Sequence, residues 1–156
     1  MRCRSLFAMI ILLTPTAVFG QDEDARALAL AKDALSRGET LFDKQDASAM
    51  AATYIETAEI ILIKRDSDSD RFVTETKQGR TAIEQTYADI FKGRDREHKC
   101  QNTIEVARFL GPDQLLIQGR FALNRDEGDT LRFVQIRVRE GEQWKVATMQ
   151  LLELPK

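Results

Sequence analysis

Residues 115–154 read LLIQGRFALNRDEGDTLRFVQIRVREGEQWKVATMQLLEL, and two polar clusters divide the run. Asp126-Glu127-Gly128-Asp129 and Glu140-Gly141-Glu142-Gln143 each hold a Gly between stretches rich in Val, Ile, Leu and Phe, the pattern of three antiparallel strands joined by tight turns. Two-residue loops at both turns set the register. Arg139 then faces Trp144, Arg137 faces Val146, Gln135 faces Thr148 and Phe133 faces Gln150. Across the other ladder Arg120 faces Gln135 and Gln118 faces Arg137. Side chains alternate along a strand, so one face collects Gln118, Arg120, Gln135, Arg137, Thr148 and Gln150. The opposite face collects Ile117, Phe121, Leu123, Val134, Ile136, Val138, Ala147, Met149 and Leu151, and needs a cover.

Upstream segments supply one. Leu28, Ala31, Leu35 and Phe42 recur at helical spacing between Asp24 and about Gln45, with acidic residues at the start where the helix dipole favours them. Asp46 reads as the N-cap of a short second helix with Ala47, Met50, Ala51 and Tyr54 on one face. Residues 58–63, AEIILI, are β-branched and apolar, most simply a strand. The polar run 64–71 is a loop; its alternating Asp residues lack the Gly and the terminal Glu of a calcium loop. A short strand at Phe72 to Thr76 precedes a third helix, with Thr81 and Glu84 at capping-box spacing, an apolar stripe of Ile83, Tyr87, Ile90 and Phe91, and Gly93 at its end. Another strand, Asn102 to Leu110, turns at Gly111-Pro112-Asp113 into the terminal meander. Helices on one side of a curved antiparallel sheet make an α+β domain.

The 156 residues suit one domain. The first twenty differ in character: Arg2 and Arg4, an apolar run from Leu6 to Phe19, then Gly20 before Gln21-Asp22-Glu23-Asp24. This is the form of a secretory signal peptide cut after Gly20, giving a periplasmic or secreted mature domain, 21–156. The run is shorter than the roughly twenty residues of a membrane span and Pro15 interrupts it, so no membrane anchor is expected after cleavage. Losing Arg2 and Arg4 takes the formal charge from −2 to −4. That mixed acidic surface gives no support for nucleic-acid binding. Cys100 is left as the lone thiol of the mature chain and reads first as a partly buried small hydrophobe, with an intermolecular disulfide or a reactive thiol as the alternatives.

Four stretches carry a resemblance. They are Asp46-Ala47-Ser48-Ala49-Met50 with Tyr54 and Glu56-Thr57-Ala58; Gly79-Arg80-Thr81-Ala82-Ile83; Arg108-Phe109-Leu110-Gly111-Pro112-Asp113; and Gly141-Glu142-Gln143-Trp144-Lys145-Val146. In this order they resemble the nuclear transport factor 2-like superfamily, in particular its SnoaL-like (polyketide cyclase-like) branch, which is similar also to ketosteroid isomerase. The resemblance spans about residues 24 to 154. It implies a cystatin-like cone whose helices and concave sheet face enclose a pocket, often with dimerisation through the outer sheet face. Enzymes of this superfamily place an acidic residue or a His in the pocket; here Thr57, beside Glu56, follows Tyr54, and Thr148 and Gln150 stand where some relatives carry His.

Single residues add less. His98 is the only His, so no two-His metal site is possible, and it sits in a charged connector. No Gly-rich phosphate loop or dinucleotide fingerprint is present, and no cofactor or metal is expected. Tyr54, Thr57, Tyr87, Phe91, Phe121, Ile136 and Met149 are the expected pocket lining. Gln118, Arg120, Gln135, Arg137, Thr148 and Gln150, with Phe133 and Trp144, form a solvated surface, the interface of a homodimer or the lining of a polar pocket; the aliphatic opposite face, which would then lack a cover, argues against the third. The leading reading is a dimeric module for a small apolar ligand. One alternative is a cofactor-free isomerase, lyase or hydrolase with Glu56 as general base; the other is a purely structural dimerisation domain.

Overall fold

The computed structural model describes residues 19–66, 69, 71–124 and 130–153. The helix α1 (Phe19–Asp43) and short α2 (Ala47–Ala52) precede β1 (Tyr54–Arg65) and β2 (Phe72–Gln78). Then come α3 (Arg80–Lys92), β3 (Gln101–Gly111), β4 (Gln114–Ala122), β5 (Thr130–Glu140) and β6 (Gln143–Glu153). The six strands form one sheet in the order β2-β1-β6-β5-β4-β3. The expected antiparallel sheet is therefore mixed: β1 runs parallel to β6 and the other neighbours are antiparallel. Most of the expected leader lies outside the described residues, and α1 begins two residues before the expected cut. The turn 126–129 and Leu154 also lie outside them.

Local chemistry explains the helix ends. Ala27, Ala31, Ala34, Leu35 and Phe42 bury one stripe of α1, and the helix lies across β3. Asp46 caps α2, its carboxylate accepting from the Ala49 N–H at 2.9 Å. Tyr54 does not continue α2 as its spacing suggests. Thr53 folds back on the Met50 carbonyl, and its own carbonyl accepts from the Val146 N–H at 2.9 Å, pulling Tyr54 into the sheet beside β6. The capping box expected at Thr81 is absent, because α3 starts two residues earlier, with Gly79 as its cap. Gly79 sits at φ +85°, a conformation open to glycine, and its N–H donates to the Ala58 carbonyl at 2.7 Å. That bond fixes the start of α3 against β1.

The register of the last hairpin starts as expected and then departs. Gly141, at φ +63°, closes a two-residue turn, and Arg139 faces Trp144 and Arg137 faces Val146. Next Ile136 pairs with Thr148, leaving Ala147 as an extra residue on β6. Such a bulge shifts every later pair, so Gln135 faces Met149 and Phe133 faces Leu151. Between β4 and β5 the connection is longer than two residues: Ala122 pairs with Thr130, Arg120 with Arg132 and Gln118 with Val134. The offset from the expected register is odd, and an odd offset turns a strand over. Phe133, Gln135 and Arg137 thus join Leu115 and Ile117 on the face under the helices. Val134, Ile136 and Val138 go to the outer face with Gln118, Arg120 and Thr148.

Two buried clusters meet beneath the helices. One gathers Phe42, Met50, Tyr54, Ile60, Ile83, Tyr87 and Phe91; the other gathers Ala27, Ala31, Leu35, Leu115, Ile117 and Phe133. Gly119 lets β3 come close to β4, since a Cβ there would lie 2.0 Å from the Thr103 carbonyl oxygen.

Candidate functional site

A cavity of about 100 Å³ lies between the two clusters. On one side α1 contributes Ala34, Leu35, Gly38, Glu39 and Phe42, and α3 contributes Tyr87. The sheet supplies Tyr54, Asn102, Phe121, Phe133, Gln135, Arg137, Val146, Met149 and Leu151, with Met50 and Thr53 at the end of α2. Its size is on the scale of the cavity of about 150 Å³ that admits benzene in an engineered apolar core.

The walls are mostly apolar and the polar groups are concentrated. Arg137 is 6 % exposed and Gln135 is 4 % exposed. The Arg137 Nε donates to Gln135 Oε1 at 3.0 Å and its Nη1 to the Trp144 carbonyl at 3.1 Å. Burial disfavours the charged form, and it pushes the guanidinium pKa down to about 10. Tyr54 and Tyr87 hydroxyls share a buried hydrogen bond of 2.7 Å. Burial raises both phenol pKa values, Tyr54 well above its ordinary range, so both stay protonated near neutral pH. Glu39 is the carboxylate on the wall, and its Oε1 accepts from the Asn102 N–H at 2.5 Å and from Asn102 Nδ2 at 3.2 Å.

Of the residues expected to line the pocket, Tyr54, Tyr87, Phe121 and Met149 do so. Phe91 is buried one layer behind, its ring 5.1 Å from that of Phe42 and stacked on Tyr87 at 5.9 Å. Thr57 is exposed in the irregular stretch of β1 between Tyr54 and Glu59. Ile136 points to the other face of the sheet, because β5 is turned over. Glu56 also lies outside the cavity. Its side chain is 75 % exposed and pairs with Arg80, whose Nη2 also holds the Tyr54 carbonyl at 2.8 Å. A solvated, ion-paired carboxylate has neither the place nor the desolvation of a pocket base.

The expected outer face divides. Gln118, Arg120, Thr148 and Gln150 remain on it, with Arg120 bonded to Glu105 at 3.0 Å. Phe133, Gln135 and Arg137 are in the cavity wall instead, and Trp144 packs on Phe109 with ring centroids 5.8 Å apart. Glu39 and Asn102 are therefore site residues that the sequence reading missed, and it assigned Gln135 and Arg137 to the dimer face in preference to the pocket. A longer β4–β5 loop would have placed the last two. Among the described residues no group of three His, Cys, Asp or Glu is arranged to hold a metal, and no helix is long and apolar enough to cross a membrane.

No protein-family model and no curated protein matches the chain. Solved structures do match. A nuclear transport factor 2-like protein of unknown function from Shewanella oneidensis is 17% identical, with a TM-score of 0.61, over 81% of this chain and 98% of that one. A scytalone dehydratase candidate from Novosphingobium aromaticivorans is 15% identical, with a TM-score of 0.63, over 86% and 89%. A candidate calcium/calmodulin-dependent protein kinase II association domain from Xanthomonas campestris is 16% identical, with a TM-score of 0.57, over 94% and 99%. The chain thus has the nuclear transport factor 2-like, cystatin-like α+β fold that its sequence resembles.

Proposed function

We propose that this protein is an exported, homodimeric module that binds a small molecule in the cavity between α1, α3 and the sheet. The observation that carries the reading is the cavity itself, an unfilled space where two tightly packed clusters meet. A purely structural domain would gain from filling it, since an apolar void forfeits packing. Catalysis through Glu56 has lost its geometric support, since that residue stands outside. Export rests on the leader-like residues 1–20 and the cut after Gly20, with a periplasmic or secreted destination. The dimer rests on the outer sheet face, where Val134, Ile136 and Val138 stand among Gln118, Arg120, Thr148 and Gln150, and on the likeness to a domain named for association.

Native mass spectrometry of the protein taken from the exported fraction tests the reading. The expected result is a dimer carrying a small-molecule adduct that denaturation releases. A monomer would sink the dimer assignment. A chain that carries no adduct and is not stabilised by any small-ring compound would sink the binding module.

A further inference from the structure

We infer that the cavity takes a small organic monocarboxylate, its apolar body against Phe121, Phe133 and Met149 and its anionic head against Arg137. This deepens the binding-module reading and rests on it. The argument is a count of donors. A guanidinium carries five N–H donors and no acceptor. Arg137 spends one on Gln135 and one on the Trp144 carbonyl, and its Nη2 bonds to no described residue. Buried side-chain atoms without a partner among the described residues are Arg94 Nε and Nη1, so Arg137 Nη2 is not sealed away, and the space beside this buried residue is the cavity.

The tyrosine pair adds to the surplus. Two hydroxyls carry two hydrogens, and one lies between the oxygens at 2.7 Å; the other needs an acceptor. Both phenols lie close enough to Arg137 for its charge to act on them. Gln135, its carbonyl oxygen taken by Arg137, offers an amide NH₂. The site is thus rich in donors and poor in acceptors, and the one carboxylate among its described lining residues, Glu39, is engaged by Asn102.

Charge points the same way. No carboxylate among the described residues pairs with Arg137, although a buried charge is normally paired. Among the described lining residues there is no Lys and no second Arg. Arg37, the other cation whose charge reaches Arg137, is exposed and bonded to Asp33 at 2.6 Å. One guanidinium matches one carboxylate, which it grips with two parallel N–H bonds. A phosphate dianion would be left half neutralised.

The test is calorimetric titration of the purified protein with matched pairs of one carbon skeleton: benzoate and benzyl alcohol, phenylacetate and phenylethanol, hexanoate and hexanol, with sodium phosphate and sodium chloride as inorganic anions. At least one acid should bind tenfold or more tightly than its alcohol. In Arg137→Met that ratio should fall to about one while the alcohol still binds; Arg137→Lys should keep the preference with weaker binding. Acids and alcohols binding the wild type alike would overturn the carboxylate assignment and leave the cavity reading standing. Phosphate or chloride competing as well as the acids would overturn it in favour of an inorganic anion. Binding of no ring or chain compound would overturn both readings. The acid-to-alcohol ratio is read on the wild-type protein, so it decides the matter even where a variant fails to fold.

Discussion

Arg94 and Arg137 both bury their guanidinium groups, yet the two regions around them are built on different principles. Arg94 Nη2 reaches Asp43 at 3.2 Å and the carbonyls of His98 and Leu123 at 2.7 and 3.2 Å, and its guanidinium lies 4.7 Å from the Phe42 ring centroid. It joins the end of α1 to the connector after α3 and to the end of β4. Arg137 has a carboxamide, one carbonyl and an open cavity. The first arginine has an anion supplied by its own chain, and no carboxylate among the described residues pairs with the second. A buried cation with its partner holds a fold together; one facing a hollow is, on the reading proposed above, the group that meets a ligand's anion.

The largest expected effect is at the first. Arg94→Met removes the cation from beside the half-buried Asp43 and the link between three elements, and should lower stability by about 3 kcal/mol, in the range for breaking a buried ion pair. Urea unfolding with an unchanged slope would measure it. A loss below about 1 kcal/mol would mean that this corner is held by packing alone, and the contrast would fail.

Acid should find the same corner. Burial tends to raise the Asp43 pKa, but the Cys100 N–H at 3.0 Å, the Cys100 thiol and Arg94 outweigh it and bring the value below the usual carboxylate range. A depressed folded pKa contributes stability that is complete above the unfolded value near roughly 4 and is lost as pH falls through the folded value. The wild type should therefore lose its advantage over Asp43→Asn as pH drops below about 4. A gap between the two unfolding midpoints that stays constant down to pH 2.5 would remove Asp43 from the account.

At the second arginine the expected change is small. Arg137→Met leaves no anion stranded and relieves the burial of a charge, and against this it frees Gln135 Oε1 and the Trp144 carbonyl. These terms oppose each other at about 1 to 3 kcal/mol each, so stability should stay within about 1 kcal/mol of wild type. A loss as large as that of Arg94→Met would make Arg137 a structural residue and erase the difference between the two regions.

Why one arginine's setting escapes a reading of the sequence is a matter of reach. Helix spacing, the Asp46 cap and the Gly141 turn are local, so α1, α2, α3 and the pairing of Arg139 with Trp144 can be read from neighbours a few residues apart. The extra Ala147 on β6 and the long β4–β5 connection carry no local signature of comparable strength. Gln135 and Arg137 alternate with Val134, Ile136 and Val138, and alternation alone assigns the aliphatic set to the core. The fold places the polar set inward because Leu115 and Ile117, opposite them on β4, belong under α1. The parallel pairing of β1 with β6 joins residues some ninety positions apart, and no turn announces it. Tyr54 and Tyr87 were legible as a pair of apolar-face phenols; their direct bond depends on that parallel register.

The smallest signal separates the two regions most finely. Cys100 is 2 % exposed, its Sγ donates to the Glu39 carbonyl at 3.8 Å, and burial together with Asp43 pushes its pKa up to about 12. At pH 8 about one thiol in ten thousand is then ionised, and the thiolate is the reactive form. Iodoacetamide should reach it through opening of the Arg94 corner, so modification of the native protein should be far slower than that of a free thiol. No disulfide between chains should form while the corner is shut, and the protein's oligomeric state should be indifferent to reductant. Arg94→Met should speed alkylation by at least tenfold, while Arg137→Met, whose bonds go to Gln135 and Trp144 and not to this corner, should leave the rate unchanged. Equal acceleration by both variants would mean that the cavity and the corner open together, as one cooperative unit rather than two.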